Sequence, residues 1–290
     1  MKIGIIANTS KLELQAGVVE LLSILSPEFE IFLEHQTAQL IGKTGVQGFQ
    51  NLSDQVEMLI VLGGDGTMLE TAHQIQRLDT PITGINYGHL GFLTTITKEE
   101  IHQLNELLLT KSYRISERFM LAVDIYEDDQ VIHQAIALNE LSISRGNTGK
   151  MAAMSVFVDD ELLNHYYADG ILFSTPTGST AYSLSAGGPI MSPNTPATII
   201  APVCPHSLSN RPVVISNEST IDLQPDPSND GELFLSCDGI EPIALQKNQR
   251  VSIRKHSETL SLVRLPERTF YQTLRKKMHW YTNLRKPEQY

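Results

Sequence analysis

Residues 57–71 read EMLIVLGGDGTMLET, and the organisation of the chain follows from them. Met58 to Leu62 form a continuous apolar run bounded by turn residues, the mark of a strand buried on both faces of a parallel sheet. Gly63, Gly64 and Gly66 then let the backbone turn sharply and lie close to a ligand, with no β-carbon in the way. Met68, Leu69, Ala72 and Ile75 continue at helical spacing, so the turn ends at a helix N-terminus. Free N–H groups and the positive end of the helix dipole favour a phosphate there. Asp65 stands out, because a carboxylate beside a phosphate cradle repels the ligand. It makes sense if it meets a hydroxyl or a metal ion; the simpler reading is a solvated helix cap.

Further apolar segments flank this unit. Lys2 to Ala7 reads as a strand, and Leu14, Val18, Leu21, Leu22 and Leu25 form one helix face. A strand at 29–33 and another at 82–86 follow, the latter running into NYGHLGFL (86–93), with Gly88 and Gly91 at the sheet edge where open α/β sheets bind ligands. Thr97 with Glu100 predicts a capping box for a helix carrying Ile101, Leu104 and Leu108. Two nucleotide motifs are excluded. Gly42-Lys43-Thr44 lacks the glycine that a P-loop needs at Thr37, and a dinucleotide fingerprint on Gly64-Asp65-Gly66 needs a small residue at Leu69.

After about residue 112 the period changes from 3.6 to 2. Phe119, Leu121, Val123 and Ile125 alternate with Met120, Ala122, Asp124 and Tyr126. Short strands are expected at 131–144, 155–158, 171–174, 221–223, 233–236, 251–254 and 260–263. The expected fold is α/β followed by all-β: a Rossmann-like domain at 1–111, then a β-sandwich at 112–265. Pro266 is expected to open a final helix with Phe270, Leu274 and Met278 on one face, so that 266–290 packs back on the first domain.

Composition bounds the rest. A chain of 290 residues has room for two cores, and 41% hydrophobic with 19% charged residues fits a globular protein. A formal net charge of -11 argues against a nucleic-acid or acidic-membrane surface. Two distant cysteines without a C-x-x-C point to a reducing compartment and no zinc site. No stretch reaches membrane-spanning length, so a cytoplasmic protein is the expectation.

In the β region, Asn139-Glu140 ends an apolar strand, where the plain reading is two turn-facing polar residues. The segment at 168–189, ADGILFSTPTGSTAYSLSAGGP, is richer. Asp169-Gly170 precedes a buried strand; a turn dense in hydroxyls and glycine follows through Thr180, then a short helix with Ala181, Tyr182 and Ser185. Six backbone N–H groups and several hydroxyls are candidate donors, and Tyr182 offers a face for a base.

GGDGT at 63–67, NYGHLGFL, Asn139-Glu140, Asp169-Gly170, STPTGSTAYSLSAGGP at 174–189 and PHSLSNRP at 205–212 together resemble the NAD kinase family, in that family's order over nearly the whole chain. GGDGT alone is shared with diacylglycerol kinases, sphingosine kinases and phosphofructokinases. The resemblance implies transfer of the γ-phosphate of ATP, or in some members of a phosphate from polyphosphate, to the 2′-hydroxyl of the adenosine ribose of NAD, with Mg²⁺ on the triphosphate. It implies Asp65 as general base, and NAD contacts from Gly66, Asn139, Glu140, Asp169, Thr180, Ala181, Tyr182 and Ser185. Gly63 and Gly64 fall in the phosphate cradle; no residue is implied as a metal ligand. A homodimer or homotetramer, with β-domain residues completing a neighbour's site, is also implied. The chain departs from the pattern at Tyr167, where many members carry a basic residue, and at Ile240, where some carry Gln. His206 is expected to organise a proline-rich turn. The alternatives are a diacylglycerol-type lipid kinase, which calls for an apolar acceptor pocket, and a non-catalytic NAD(P) sensor, which has no use for Asp65.

Overall fold

The run MLIVL forms the strand Met58–Leu62, buried throughout, in a computed structural model that describes residues 1–280 apart from 12, 76, 89–90, 147–148 and 230. Parallel neighbours lie on both sides: Lys2–Ala7, with Ile5 opposite Ile60, and Ile82–Asn86, with Thr83 opposite Ile60. Glu30–Leu33 extends the sheet beyond Lys2–Ala7. A strand flanked on both edges and covered on both faces leaves no place for a polar side chain, hence the unbroken apolar run. The helix Leu14–Leu25 presents Leu14, Val18, Leu21 and Leu25, all fully buried. Each such side chain stabilises the fold by about 1.5–3 kcal/mol.

The capping box is present: Thr97 and Glu100 bond reciprocally at the start of a 3₁₀ turn, Lys98–Glu100, that leads into the helix Ile101–Leu109. Two helices carry too few apolar residues to announce themselves, His35–Leu40 and Phe49–Ser53. The last described helix is Phe270–Lys277 and does not open at Pro266. Thr269 accepts from the Gln272 N–H while Gln272 bonds back to Thr269, and this cap sets the start four residues later. Residues 281–290 of the expected C-terminal segment lie outside the described residues.

The chain divides into two compact units, one of Met1–Ser116 with the residues from Ser261 onward, the other Glu117–Leu260. Both divisions fall inside strands, Arg114–Glu127 and Arg250–Arg264, rather than at 111/112 and 265/266. The second unit is a sandwich. One sheet has the antiparallel order Val213–Ser216, Ala197–Val203, Gly170–Ser174, Glu140–Arg145, Leu233–Cys237, Ile243–Leu245. The other pairs Glu161–Ala168, Ala152–Val158, Ile221–Pro225 and the Val251–Ile253 part of the long strand, with the hairpin of Arg114–Glu127 and Gln130–Ala137 joined to it. Side chains of both sheets meet in one core that includes Val123, Ile143, Val156, Phe173, Leu235 and Ile253.

Two expectations change here. The stretch 131–144 is two strands, because the chain leaves one sheet after Ala137 and enters the other at Glu140. The segments 251–254 and 260–263 are one continuous strand whose middle, KHSET, is largely solvent-facing and keeps its backbone ladder without a core. In the strand Arg114–Glu127, Met120 through Ile125 are all buried. Asp124 is accommodated there by Arg254, at 2.5 Å, and by Gln134, at 2.7 Å.

Candidate active site

Gly63 closes the strand with its N–H on the Ile85 carbonyl, and a β-carbon on it would lie 2.3 Å from the Thr67 hydroxyl oxygen. Gly64 caps the helix Asp65–Gln74. At Gly64 and Gly66 an added β-carbon would meet nothing within 4 Å, so the backbone of the turn lies open to a ligand.

Asp65 is neither a solvated cap nor an unpartnered carboxylate. Its Oδ2 accepts from the Phe92 N–H at 2.8 Å. Its Oδ1 accepts from the N–H groups of Leu93 and Thr94 and from the Thr94 hydroxyl, at 3.1–3.2 Å. The second glycine turn of the α/β unit is therefore folded onto the carboxylate of the first. Gly91 makes this approach possible: a β-carbon there would sit 1.8 Å from Asp65 Oδ1. Asn86 donates to the Thr94 hydroxyl oxygen and accepts from the Gly88 N–H, fixing the same loop from within. His89 and Leu90 of the motif lie outside the described residues. Arg264, which the sequence reading missed, donates to the Phe92 carbonyl at 3.0 Å. Burial and the neighbouring Arg268 hold its guanidinium below the usual arginine range, and the charge of Asp65 opposes that shift.

In the β-sandwich, the corner where the chain changes sheets carries Asn139 and Glu140. The Asp238 carboxylate accepts from the N–H groups of Leu138, Asn139 and Glu140 at 2.7, 2.8 and 2.9 Å, and the Asp238 N–H donates to the Glu140 carbonyl at 2.9 Å. The hydroxyl-rich turn is pinned to this corner. Thr175 donates its N–H to the Asn139 carbonyl and its hydroxyl to the Leu138 carbonyl, and Ser174 Oγ also reaches the Asn139 carbonyl. Gly178 packs so closely that a β-carbon would lie 2.1 Å from the Asn139 oxygen.

Several of the donors of this turn are used within it. The Gly178 N–H is spent on Thr175 Oγ1, the Ser179 N–H and hydroxyl on the Pro176 carbonyl, and the Thr180 hydroxyl on the Thr177 carbonyl. The density of hydroxyls builds the turn itself. What it presents outward is the helix Tyr182–Ser185, with Tyr182 and Ser185 exposed and Thr180 and Ala181 half-buried.

Glu140 is the opposite case to Asp65. Its Oε2 is buried with no hydrogen-bond partner among the described residues. Burial, then the charge of Asp238, push its carboxyl up to about 7, against a smaller opposing pull from the Tyr182 backbone N–H. Asp169 lies elsewhere. Ser174 pairs with Glu140 and Gly170 with Ser144, so Asp169 sits beyond the far end of the shared ladder, about 13 Å or more from Glu140 at ~3.3 Å per residue. There Arg145 Nε binds Asp169 Oδ1 at 2.7 Å. Tyr167, half-exposed, carries the His206 ring edge-on at 6.0 Å, and its carbonyl accepts the His206 N–H. Ile240 is exposed on the turn after Asp238. Arg145 supplies a cation beside Asp169, near the position of Tyr167 where many family members carry a basic residue.

Residues 3–113 match the model of the ATP-NAD kinase N-terminal domain, and residues 138–265 that of the ATP-NAD kinase C-terminal domain. The chain is 37% identical over 270 residues to an NAD kinase of Legionella pneumophila (strain Corby), covering 92% of each sequence. Its fold is similar to yeast NADH kinase complexed with NADH, with a TM-score of 0.88, 26% identity, and 99% of this chain and 90% of that one covered. It also shares the fold of an NAD kinase from Archaeoglobus fulgidus in complex with ATP, with a TM-score of 0.75 at 23% identity over 96% of this chain and 99% of that one. These matches span both units and favour a dinucleotide kinase over a lipid kinase or a sensor. The chain belongs to the NAD kinase family.

Proposed function

We propose that this kinase moves the γ-phosphate of ATP onto the 2′-hydroxyl of the adenosine ribose of NAD, with Asp65 as general base. The observation that carries the reading is the Asp65 carboxylate. Oδ1 accepts three hydrogen bonds, whereas Oδ2 accepts one, from Phe92, and keeps a lone pair for the ribose hydroxyl. An unactivated alcohol is a poor nucleophile; a fixed carboxylate orients it and takes its proton as the new P–O bond forms and the β–γ bridge bond breaks, releasing ADP. Gly63 and Gly64 lay the turn against the phosphates, and Gly66 contacts NAD. Mg²⁺ enters on the nucleotide as part of that substrate; among the described residues no three His, Cys, Asp or Glu side chains are gathered to hold an ion.

Asn139, Glu140, Thr180, Ala181, Tyr182 and Ser185 hold NAD in this reading. Asp169, displaced from Glu140 along the strand, completes the site of a neighbouring subunit in a homodimer or homotetramer. The α/β unit, Met1–Ser116 with the residues from Ser261, serves the phosphates and Glu117–Leu260 the dinucleotide. No described helix is long and apolar enough to cross a membrane, in keeping with a cytoplasmic enzyme.

The test is an end-point assay with Mg-ATP and NAD, read by an NADP-specific dehydrogenase. NADP formation that Asp65→Asn removes while NAD still binds supports the reaction and the base together. A variant with wild-type kcat overturns the base. Turnover with polyphosphate in place of ATP reassigns the donor. Tyr182→Ala is expected to raise the KM for NAD about tenfold, as loss of one aromatic stacking face does.

A further inference from the structure

Asp238 lies in the turn after the strand Leu233–Cys237, with a left-handed backbone (φ 51°), followed by Gly239 (φ 74°). That conformation is disfavoured for most side chains, and aspartate is among the few that tolerate it. What the strained turn achieves is specific. It carries one carboxylate to three successive backbone N–H groups, those of Leu138, Asn139 and Glu140, at 2.7–2.9 Å, while the Asp238 N–H returns to the Glu140 carbonyl. These N–H groups belong to the corner where the chain changes sheets and cannot all be satisfied by either ladder, so a third party must supply the acceptor.

We infer that Asp238 is a positioning residue for the NAD site, fixing the Asn139–Glu140 corner so that the Asn139 amide and the Glu140 carboxyl meet the dinucleotide in one orientation. A second observation points the same way. Glu140 Oε2 is buried without a hydrogen-bond partner among the described residues, which is costly unless a ligand group completes it. The clamp holds that carboxyl in place and prevents it from turning to water. The same negative charge, with burial, favours the protonated form of Glu140, so the group the clamp holds in place can donate as well as accept.

The inference rests on the reading that Asn139 and Glu140 hold NAD, and the experiment separates the two. Steady-state kinetics are measured on the full-length protein and on Asp238→Asn, Asp238→Glu, Asn139→Ala, Glu140→Gln and the double variant Asp238→Asn with Glu140→Gln, each with NAD and with Mg-ATP varied. Asparagine keeps the left-handed turn and removes one acceptor oxygen, so it isolates the carboxylate. The expected result is a KM for NAD raised at least tenfold in Asp238→Asn, with the KM for ATP and kcat within threefold of wild type. Effects of Asp238→Asn and Glu140→Gln should be less than additive. If Asp238→Asn does not fold, Asp238→Glu, which keeps the charge and shifts the oxygens by a methylene, is expected to show the same split. An unchanged KM for NAD in the Asp238 variants, beside a raised one in Asn139→Ala, overturns the role of Asp238. So does an equal loss toward NAD and ATP, the outcome of a merely structural turn. Unchanged values in both Asn139→Ala and Glu140→Gln overturn the placement of NAD at this corner, and the inference with it.

Discussion

Two carboxylates, one in each unit, receive opposite treatment from the backbone around them. Asp65 is supplied with donors by the Phe92–Thr94 loop, three of them main-chain N–H groups. Glu140 has the Tyr182 backbone N–H as its one main-chain influence, keeps a buried Oε2 with no hydrogen-bond partner among the described residues, and faces a second negative charge at Asp238. The donors that Glu140 lacks are present nearby, but they are the N–H groups of its own segment and all go to Asp238. Main-chain donors are thus distributed unequally: they converge on the Asp65 carboxylate and bypass the Glu140 carboxyl, whose burial and negative neighbour favour its protonated form.

The sharpest way to break the comparison is at Asp65. Asp65→Asn removes the base and turns an amide NH₂ toward main-chain donors, so kcat should fall on the order of 10²–10⁴-fold; rapid-quench measurement of NADP formation reads it. Gly91→Ala tests the donors rather than the acceptor. Its methyl would lie 1.8 Å from Asp65 Oδ1, so the loop must move, and a displacement of that size should cost kcat roughly 10²-fold with Asp65 intact. A Gly91→Ala enzyme with wild-type kcat would show that the loop is irrelevant to the base.

Glu140→Gln sharpens the other side. The folded carboxyl titrates near 7 against an ordinary 4.5, so the native state binds a proton that the unfolded chain releases. The stability this provides is fully present below about pH 4.5 and is lost as pH rises through about 7. Above that, the wild type carries a buried charge costing up to about 3 kcal/mol, at ~1.4 kcal/mol for each tenfold change in proton affinity. Glu140→Gln should therefore be more stable than wild type at pH 8, by about 1–3 kcal/mol, and indistinguishable at pH 4, in urea titrations at the two pH values. The reverse order would mean that Glu140 finds its donor. The smallest effect is expected of Thr94→Val, which takes one of four donors from Asp65: about 1 kcal/mol, a few-fold in kcat.

The strands and helices that sequence reading found are those whose neighbours leave a periodic mark. MLIVL is apolar because both faces are covered, and Leu14 to Leu25 repeats because one face is. What stayed hidden lacks such a mark. Glu161–Ala168 reads ELLNHYYA, with its exposed and buried positions poorly separated by residue type, and KHSET in the middle of the long strand looks like a turn because no core covers it. In the site, the glycine turns and Asn139-Glu140 were legible as motifs. Their supporting residues were not. Arg145, Arg264 and Asp238 act across 24, 172 and about 100 residues of chain, and nothing local distinguishes them from any surface charge.

That last separation has a consequence for how the protein comes into being on the ribosome. The N–H groups at 138–140 are made about 100 residues before the carboxylate that satisfies them. At roughly 5–20 residues per second the corner waits some 5–20 s for its partner. Thr175, made 37 residues after Leu138, reaches the carbonyls of the corner first, and the Asp238 carboxylate closes its N–H side last.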